Sequence, residues 1–172
     1  GHAIHMSEHD FAHCHHSGCT LAHCPTSNLF LGSGAFRLFD ALNPDRPVHV
    51  ALGTDIGAGT SLSLLATMGE AYKVSLMAGD TRLSAAQALW LATAGAARAL
   101  HLHDRIGHIA PGMEADLCVM DPNATPLMAQ RHARCTSLSE RLFTLMVLGD
   151  DRAIRATWVN GKMAYEKNVD PA

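Results

Sequence analysis

The sequence predicts an α/β fold with a parallel sheet and helices outside it, followed by a smaller β-rich unit. Residues 48–54 form an apolar run without alternation, as expected of a strand that is buried on both faces. Residues 61–77 carry apolar side chains on one stripe at helical spacing. Near the C-terminus, Asn160-Gly161 separates two short apolar segments, which is the strongest short-range signal of a β-hairpin.

Capping and breaking residues set the boundaries in the first part of the chain. Ser7 with Asp10, and Ser84 with Gln87, have the spacing of capping boxes that open helices. Glycine, proline and asparagine residues mark where elements end. In chain order, the predicted elements are a helix at 8–17, a strand at 19–24, a helix at 35–42, a strand at 48–54 and helices at 61–77 and 84–100.

After residue 104 the pattern changes to short apolar segments separated by turns. The predicted elements there are strands at 106–109 and 115–120, a helix at 137–148, and hairpin strands at 154–159 and 162–165. We therefore expect one unit at 1–104 and a second at 105–172, the second containing a single helix.

Composition excludes several classes of protein. The 172 residues are 48% hydrophobic and 17% charged, which is enough apolar material for a sizeable core. The formal net charge of −3 gives no basic field, so we expect no nucleic-acid partner. No apolar run reaches the ~18 residues of a membrane span, so we expect no membrane association. The odd count of five cysteines indicates reduced thiols in a cytoplasmic protein.

The segment HCHHSGCTLAHC, residues 13–24, has the composition of a metal site. It holds four histidines and three cysteines, but Cys14, Cys19 and Cys24 are each five residues apart and no CxxC occurs. A zinc site needs ligands that converge tetrahedrally, and on a helix His13 and His16 point in different directions. We therefore interpret the segment as an exposed helix end and a strand with small thiols, with a metal-sequestering module as the alternative.

A second candidate is Asp55 in LGTDIGAG, residues 52–59. This aspartate follows the apolar strand directly and precedes a glycine-rich turn. In parallel α/β folds the active site lies at that end of the strands, where a carboxylate can bind a metal or move a proton. A strand-end aspartate caps a helix or a turn about as often, so both interpretations stay open.

Several spaced segments together resemble the metal-dependent amidohydrolase superfamily. They are GHAIHMS at 1–7, AHCPTSNLFLGSG at 22–34, LGTDIGAGTS at 52–61, IGHIAPGMEADLCVMD at 106–121 and WVNGK at 158–162. The turns LFLGSG and GAGTS are most similar to those of the guanine deaminase group. Chain length and the non-methionine start at Gly1 lead us to expect the C-terminal portion of a longer enzyme.

The resemblance implies a fold and a metal site. It implies a TIM (β/α)8 barrel, of which residues 1–104 form about the last two or three units, with a small β-sandwich segment after it. One zinc ion is implied, with Asp55 as the ligand from this chain and the remaining ligands upstream. His2 matches a catalytic histidine that faces the attacking water and the substrate.

The resemblance also implies an activity, namely hydrolytic deamination of guanine to xanthine and ammonia. The implied partner is a small-molecule purine, and the full-length enzyme is expected to be a homodimer. The isolated chain is expected to be inactive. The alternatives are an amidohydrolase of another amino- or chloro-substituted heterocycle, a truncated product without activity, and a half that needs an upstream partner chain.

Other polar residues receive weaker roles. Asn28 and Ser27 are candidates for substrate contact or for capping a strand end. His23 is expected to be structural or to support the site, and Asp116 to lie away from the chemistry. His5 and Glu8 form an HxxE that imitates the family's fifth-strand motif, but only one predicted strand separates them from the strand of Asp55, so we interpret His5 as lining the helix entry or the substrate wall.

Overall fold

The computed structural model describes residues 1–79 and 81–167. The first part of the chain is built on a parallel pair of strands, β1 (Thr20–His23) and β2 (His49–Leu52). Thr20 pairs with His49 and His23 with Leu52, so the two strands run in register and end at the same edge. The predicted α/β class is confirmed, although the sheet is small and the described residues do not close a barrel.

Helix α1 (Glu8–Ser17) precedes β1 and agrees with the prediction for 8–17. Ser7 and Asp10 cap its first turn reciprocally, so two of the unpaired N–H groups at the helix start are satisfied. Gly18 ends it in the left-handed region, at φ 66°, where glycine has no steric penalty. Phe11 is fully buried and fixes the helix on the core.

The segment after β1 is helical, which the sequence analysis did not predict. Helix α2 (Pro25–Phe30) begins directly at the proline that was expected only to break the strand. Proline is well tolerated in the first helical turn because a backbone N–H at that position would have no acceptor within the helix. Helix α3 (Leu38–Ala41) is shorter than the predicted 35–42, since no side chain caps its start at Arg37.

Three helices follow β2. Helix α4 (Leu64–Ala78) starts after the cap Ser63, and α5 (Ala85–Ala92) starts with the predicted capping box. The expected single helix at 84–100 is wrong, because the chain breaks at Thr93 (φ −131°, ψ −101°) before α6 (Ala94–Ala99). The Thr93 hydroxyl donates to the carbonyl of Leu89, and such a bond competes with regular helix geometry.

The second part contains an antiparallel sheet of three strands. Its order is β3 (Leu117–Met120), β4 (Ile154–Val159) and β5 (Lys162–Glu166). Asn160 and Gly161 both have positive φ, and this confirms the predicted hairpin. The strand expected at 106–109 is wrong, since the residues there form turns and bends, with Gly107 at φ 98° packed against Ala97.

Two α-helices, not the expected one, and a short 3₁₀ helix (Asp151–Ala153) lie between β3 and β4. Helix α7 (Pro126–His132) starts after the cap Thr125, and α8 (Leu138–Leu148) starts after the cap Ser137. Helix α8 packs against α4 and α5, so Met128 and Met146 join the main core instead of a separate one. None of the helices in the described residues is long and apolar enough to cross a membrane.

The main core lies between the sheet and the helices. Alternate side chains of β1 and β2 are buried, and they pack against aromatic and aliphatic groups from the helices. Burial of this apolar surface, at about 25 cal/mol per Å², is the main force that fixes the helices on the strands. The most deeply buried side chains of this core include Phe11, Phe36, Val50, Ala71, Leu83, Leu91, Met128 and Met146.

Candidate active site

His2 and Asp55 meet where the two parallel strands end. The backbone N–H of His2 donates to the carbonyl of Ala22 at 2.9 Å, so the chain start lies alongside β1. Asp55 follows β2 after a short connection. His2 Nε2 and Asp55 Oδ2 are 3.8 Å apart, and the two side chains are 47% and 36% exposed. A pair this open to solvent contributes little to stability.

Asn28 sets the orientation of His2. His2 Nδ1 donates to Asn28 Oδ1 at 2.8 Å, and Asn28 is 2% exposed on α2. A carbonyl oxygen only accepts, so this bond places the ring proton on Nδ1. In the neutral ring the lone pair of Nε2 then lies on the side of Asp55, where it can bind a metal or accept a proton.

Cys24 belongs to the same group of side chains, although no role at this site was predicted for it from the sequence. Ligand atoms of His2, Cys24 and Asp55 all lie within 4.8 Å of one another, a grouping unique within residues 1–79 and 81–167. Burial, together with the charge of Asp55, raises the pKa of the Cys24 thiol. The position of Cys24 directly after β1 could have indicated this role from the sequence, because residues at the ends of parallel strands lie at this edge of the sheet.

Left-handed backbone supports the site. His2, Ala3 and Asp55 have φ of 70°, 50° and 48°, a region that non-glycine residues occupy at a cost. The turn after Asp55 closes through the N–H of Gly59, which donates to the Asp55 carbonyl at 2.6 Å. A Cβ on Gly59 would lie 1.9 Å from the Thr54 carbonyl oxygen, so only glycine fits there.

His23 and Ser27 lie beneath this edge and are fully buried. His23 packs on Phe36 with ring centroids 4.9 Å apart, and burial lowers its pKa to about 4, so the ring is neutral. Neither ring nitrogen of His23 nor the Ser27 hydroxyl has a hydrogen-bond partner among the described residues. This position suits a structural histidine better than a group that contacts substrate.

The HxxE formed by His5 and Glu8 does not act as one unit. His5 is exposed and, with His2, lines an open cavity of about 510 Å³. Glu8 lies on α1 and pairs with Arg46, with Arg37 3.9 Å away. The carboxylate is thus neutralised by arginines.

The histidines and cysteines of 13–24 do not converge. His13 Nε2 lies 2.9 Å from His9 Nε2, while His16 Nδ1 bonds the carbonyl of Ala12. Among the described residues, the cluster of three metal-binding side chains takes only Cys24 from this segment. Asp116 accepts a bond from the backbone of Asn160 at 2.7 Å, which engages it in the hairpin turn.

Comparison with protein family models identifies the family to which this chain belongs. The family model described as "Amidohydrolase family" matches residues 1–164, which is nearly the whole chain and includes the site. The chain belongs to the amidohydrolase family. The resemblance seen in the sequence segments is confirmed.

Individual relatives agree. Guanine deaminase of Escherichia coli is 48% identical over 167 residues, or 97% of this chain, and the chain spans 37% of that protein's length. The solved structure of E. coli guanine deaminase superposes with a TM-score of 0.93, over 97% of this chain and 38% of that one.

Two solved structures hold ligands according to their descriptions. Guanine deaminase of C. acetobutylicum with bound guanine is 29% identical, with a TM-score of 0.79 over 95% of this chain and 38% of that one. An adenosine deaminase of Xanthomonas campestris with bound zinc is 26% identical, with a TM-score of 0.80 over 98% and 38%.

Proposed function

We propose that this chain supplies the C-terminal part of a zinc-dependent amidohydrolase that converts guanine and water to xanthine and ammonia. The observation that carries the proposal is the meeting of His2 and Asp55 at the carboxyl ends of parallel strands, with Nε2 and Oδ2 3.8 Å apart. Active sites of TIM-barrel enzymes lie at that face. The 48% identity to a guanine deaminase over 97% of the chain favours guanine as the substrate.

The strands β1 and β2 are then neighbours in the barrel, and residues 1–104 are its final part. Both outer edges of this pair are open in the described residues except for the bond from His2 to Ala22. Open edges of a buried parallel sheet need further strands. Residues 105–172 then contribute to the small β-sandwich domain, through β3, β4 and β5.

The donor set fits a zinc ion. Zinc binds carboxylate oxygen, and the Asp55 carboxylate lies at the carboxyl ends of the strands with His2, held by Asn28, beside it. Asp55 is the proposed ligand from this chain, and the other ligands come from upstream of it. When bound, zinc lowers the pKa of water toward ~7, so that hydroxide is available at neutral pH.

Asp55 and His2 have different roles toward the attacking water. The Asp55 carboxylate accepts the proton that the water loses as its oxygen adds to the amino-bearing carbon of guanine. That proton is passed on to the amino group, which leaves as ammonia, and xanthine remains. His2 orients the water and stabilises the charge that develops in the tetrahedral state. Asn28, which is buried against His2, acts as a positioning residue.

The experiment that tests this proposal joins the chain to the upstream part of the E. coli guanine deaminase, in place of that enzyme's own C-terminal segment. We expect the chimera to contain zinc and to release ammonia from guanine. Asp55→Ala should abolish turnover and reduce zinc content, whereas Asp116→Ala, a matched change in the hairpin turn, should preserve both.

Two results would contradict the proposal. A zinc-loaded chimera that deaminates 5-methylthioadenosine but not guanine would favour a different heterocycle, since a 5-methylthioadenosine/S-adenosylhomocysteine deaminase is also 36% identical over 73% of the chain. Guanine turnover by the isolated chain, for which we expect neither zinc nor ammonia release, would show that the ligand assignment is wrong.

A further inference from the structure

A second cavity, of about 560 Å³, lies on the helical side of the molecule. It is bounded by α4, by the segment that leads into α5, and by the connection from α7 to α8. None of its lining residues belongs to the candidate active site. Its volume is within the range of small-molecule sites, roughly 300–1,000 Å³.

The charge of this cavity is positive. Arg82, Arg131 and Arg134 line it, and in the described part of the chain none of them has a carboxylate within 4.0 Å. Glu140, the one acidic residue among the described lining residues, accepts bonds from the backbone and hydroxyl of Thr136, which hold its pKa below the usual value. Among the described lining residues, three arginines thus accompany one carboxylate that already has donors, and an anion would balance their charge.

Part of the cavity lining is aromatic. Tyr72 and Phe143 line the cavity with ring centroids 5.3 Å apart and planes at 85°. Both rings are partly exposed and therefore available to a flat ring of a ligand. Arginines beside aromatic rings recognise phosphate groups and planar groups together, because the guanidinium fork fits phosphate oxygens in pairs.

We propose that this cavity binds a small phosphomonoester that carries a flat ring, such as a nucleoside monophosphate. Arg131 and Arg134 hold the phosphate, with Arg82 closing the site from the α4–α5 connection. The ring contacts Tyr72 and Phe143. This site is separate from the one that His2 and Asp55 form, so the proposal does not depend on the assigned reaction.

Calorimetric titration of the chimera described above with adenosine 5′-monophosphate, adenosine and inorganic phosphate tests the proposal. We expect the monophosphate to bind more tightly than phosphate, and adenosine to show no binding. Arg131→Ala and Arg134→Ala should each weaken binding of the monophosphate by about 10- to 100-fold, since hydrogen bonds to charged groups contribute at that scale. Arg141→Ala removes an exposed charge from the neighbouring helix α8 without touching the cavity, and it should leave affinity unchanged.

Four outcomes would overturn the proposal. A folded chimera, with native helical circular dichroism, that does not bind the monophosphate has no such site. Equal weakening by Arg141→Ala would mean that the monophosphate is held by general charge attraction. If inorganic phosphate bound as tightly as the monophosphate, the aromatic rings would contribute nothing to binding. Binding that is lost in Asp55→Ala would place the ligand at the other site.

Discussion

His2 Nδ1 donates to Asn28 Oδ1 at 2.8 Å, a bond that joins two residues 26 positions apart in the chain. Asn28 can reach His2 because α2 begins as soon as β1 ends, at Pro25. The bond fixes both the tautomer and the ring plane of His2. The fold therefore fixes the orientation of the imidazole through Nδ1, while Nε2 stays free on the side of Asp55.

Asn28→Leu keeps the approximate size of the side chain and removes this acceptor. In the chimera described above we expect kcat to fall by about 10- to 100-fold, the usual effect of losing a group that orients a site histidine, with KM changed less. Steady-state kinetics with guanine measure this split. Asn123→Leu makes the same change on an exposed turn residue and should have no effect. Unchanged kcat in Asn28→Leu would show that His2 needs no such support.

Gly59→Ala tests the turn that holds Asp55. An added Cβ would meet the Thr54 carbonyl oxygen at 1.9 Å, so the backbone that leads into Asp55 must move. We expect a loss of guanine turnover and of roughly 1–3 kcal/mol in the free energy of unfolding, measured by urea denaturation. Gly79→Ala is the matched control, because its Cβ would have open space and its backbone is extended, at φ 172°. Full activity in Gly59→Ala would contradict the rigid turn.

Local signals predicted much of the fold. Capping boxes at Ser7 and Ser84 fixed the starts of α1 and α5, and Asn160-Gly161 located the hairpin, because these patterns are satisfied within a few residues. Strand-end reasoning selected Asp55, and the family resemblance selected His2; the structure brings the two together. These inferences needed only the direction of β1 and β2.

Other features depend on contacts that no local pattern contains. Pro25 has the same appearance in sequence whether it ends a strand or opens a helix, and only the burial of Asn28 beside His2 distinguishes the two. The break at Thr93 and the packing of α8 on α4 are consequences of tertiary contacts. Cys24 was missed because its role depends on the distance to Asp55, which sequence does not give.

The thiols should differ in reactivity with an aromatic disulfide reagent. Cys19 and Cys118 are exposed, whereas Cys24 is 6% exposed and its pKa is raised by burial and by Asp55. Since the thiolate is the reacting form, Cys24 should react in the slowest phase. Cys24→Ser should remove only that slow phase, and Cys118→Ser only a fast one. Rapid modification of Cys24 would mean that this edge opens in solution.

The last prediction concerns acid. Burial lowers the pKa of His23 from 6.5 to about 4, so the unfolded chain binds this proton more readily than the folded chain. The contribution of the neutral His23 ring to the free energy of unfolding is therefore fully present above pH 6.5, and it is lost as the pH falls toward 4. At 1.36 kcal/mol per pKa unit, the loss is at most roughly 3 kcal/mol.

Urea denaturation of the chain between pH 4 and pH 7 measures this dependence. His23→Leu cannot take up the proton, so its free energy of unfolding should fall less steeply with acid than that of the unsubstituted chain. His49→Leu changes an exposed histidine on the neighbouring strand and should keep the original slope. Equal slopes in all three proteins would show that His23 gains a proton in the folded state. A partner or a water molecule would then have to reach its ring, which has no hydrogen-bond partner among the described residues.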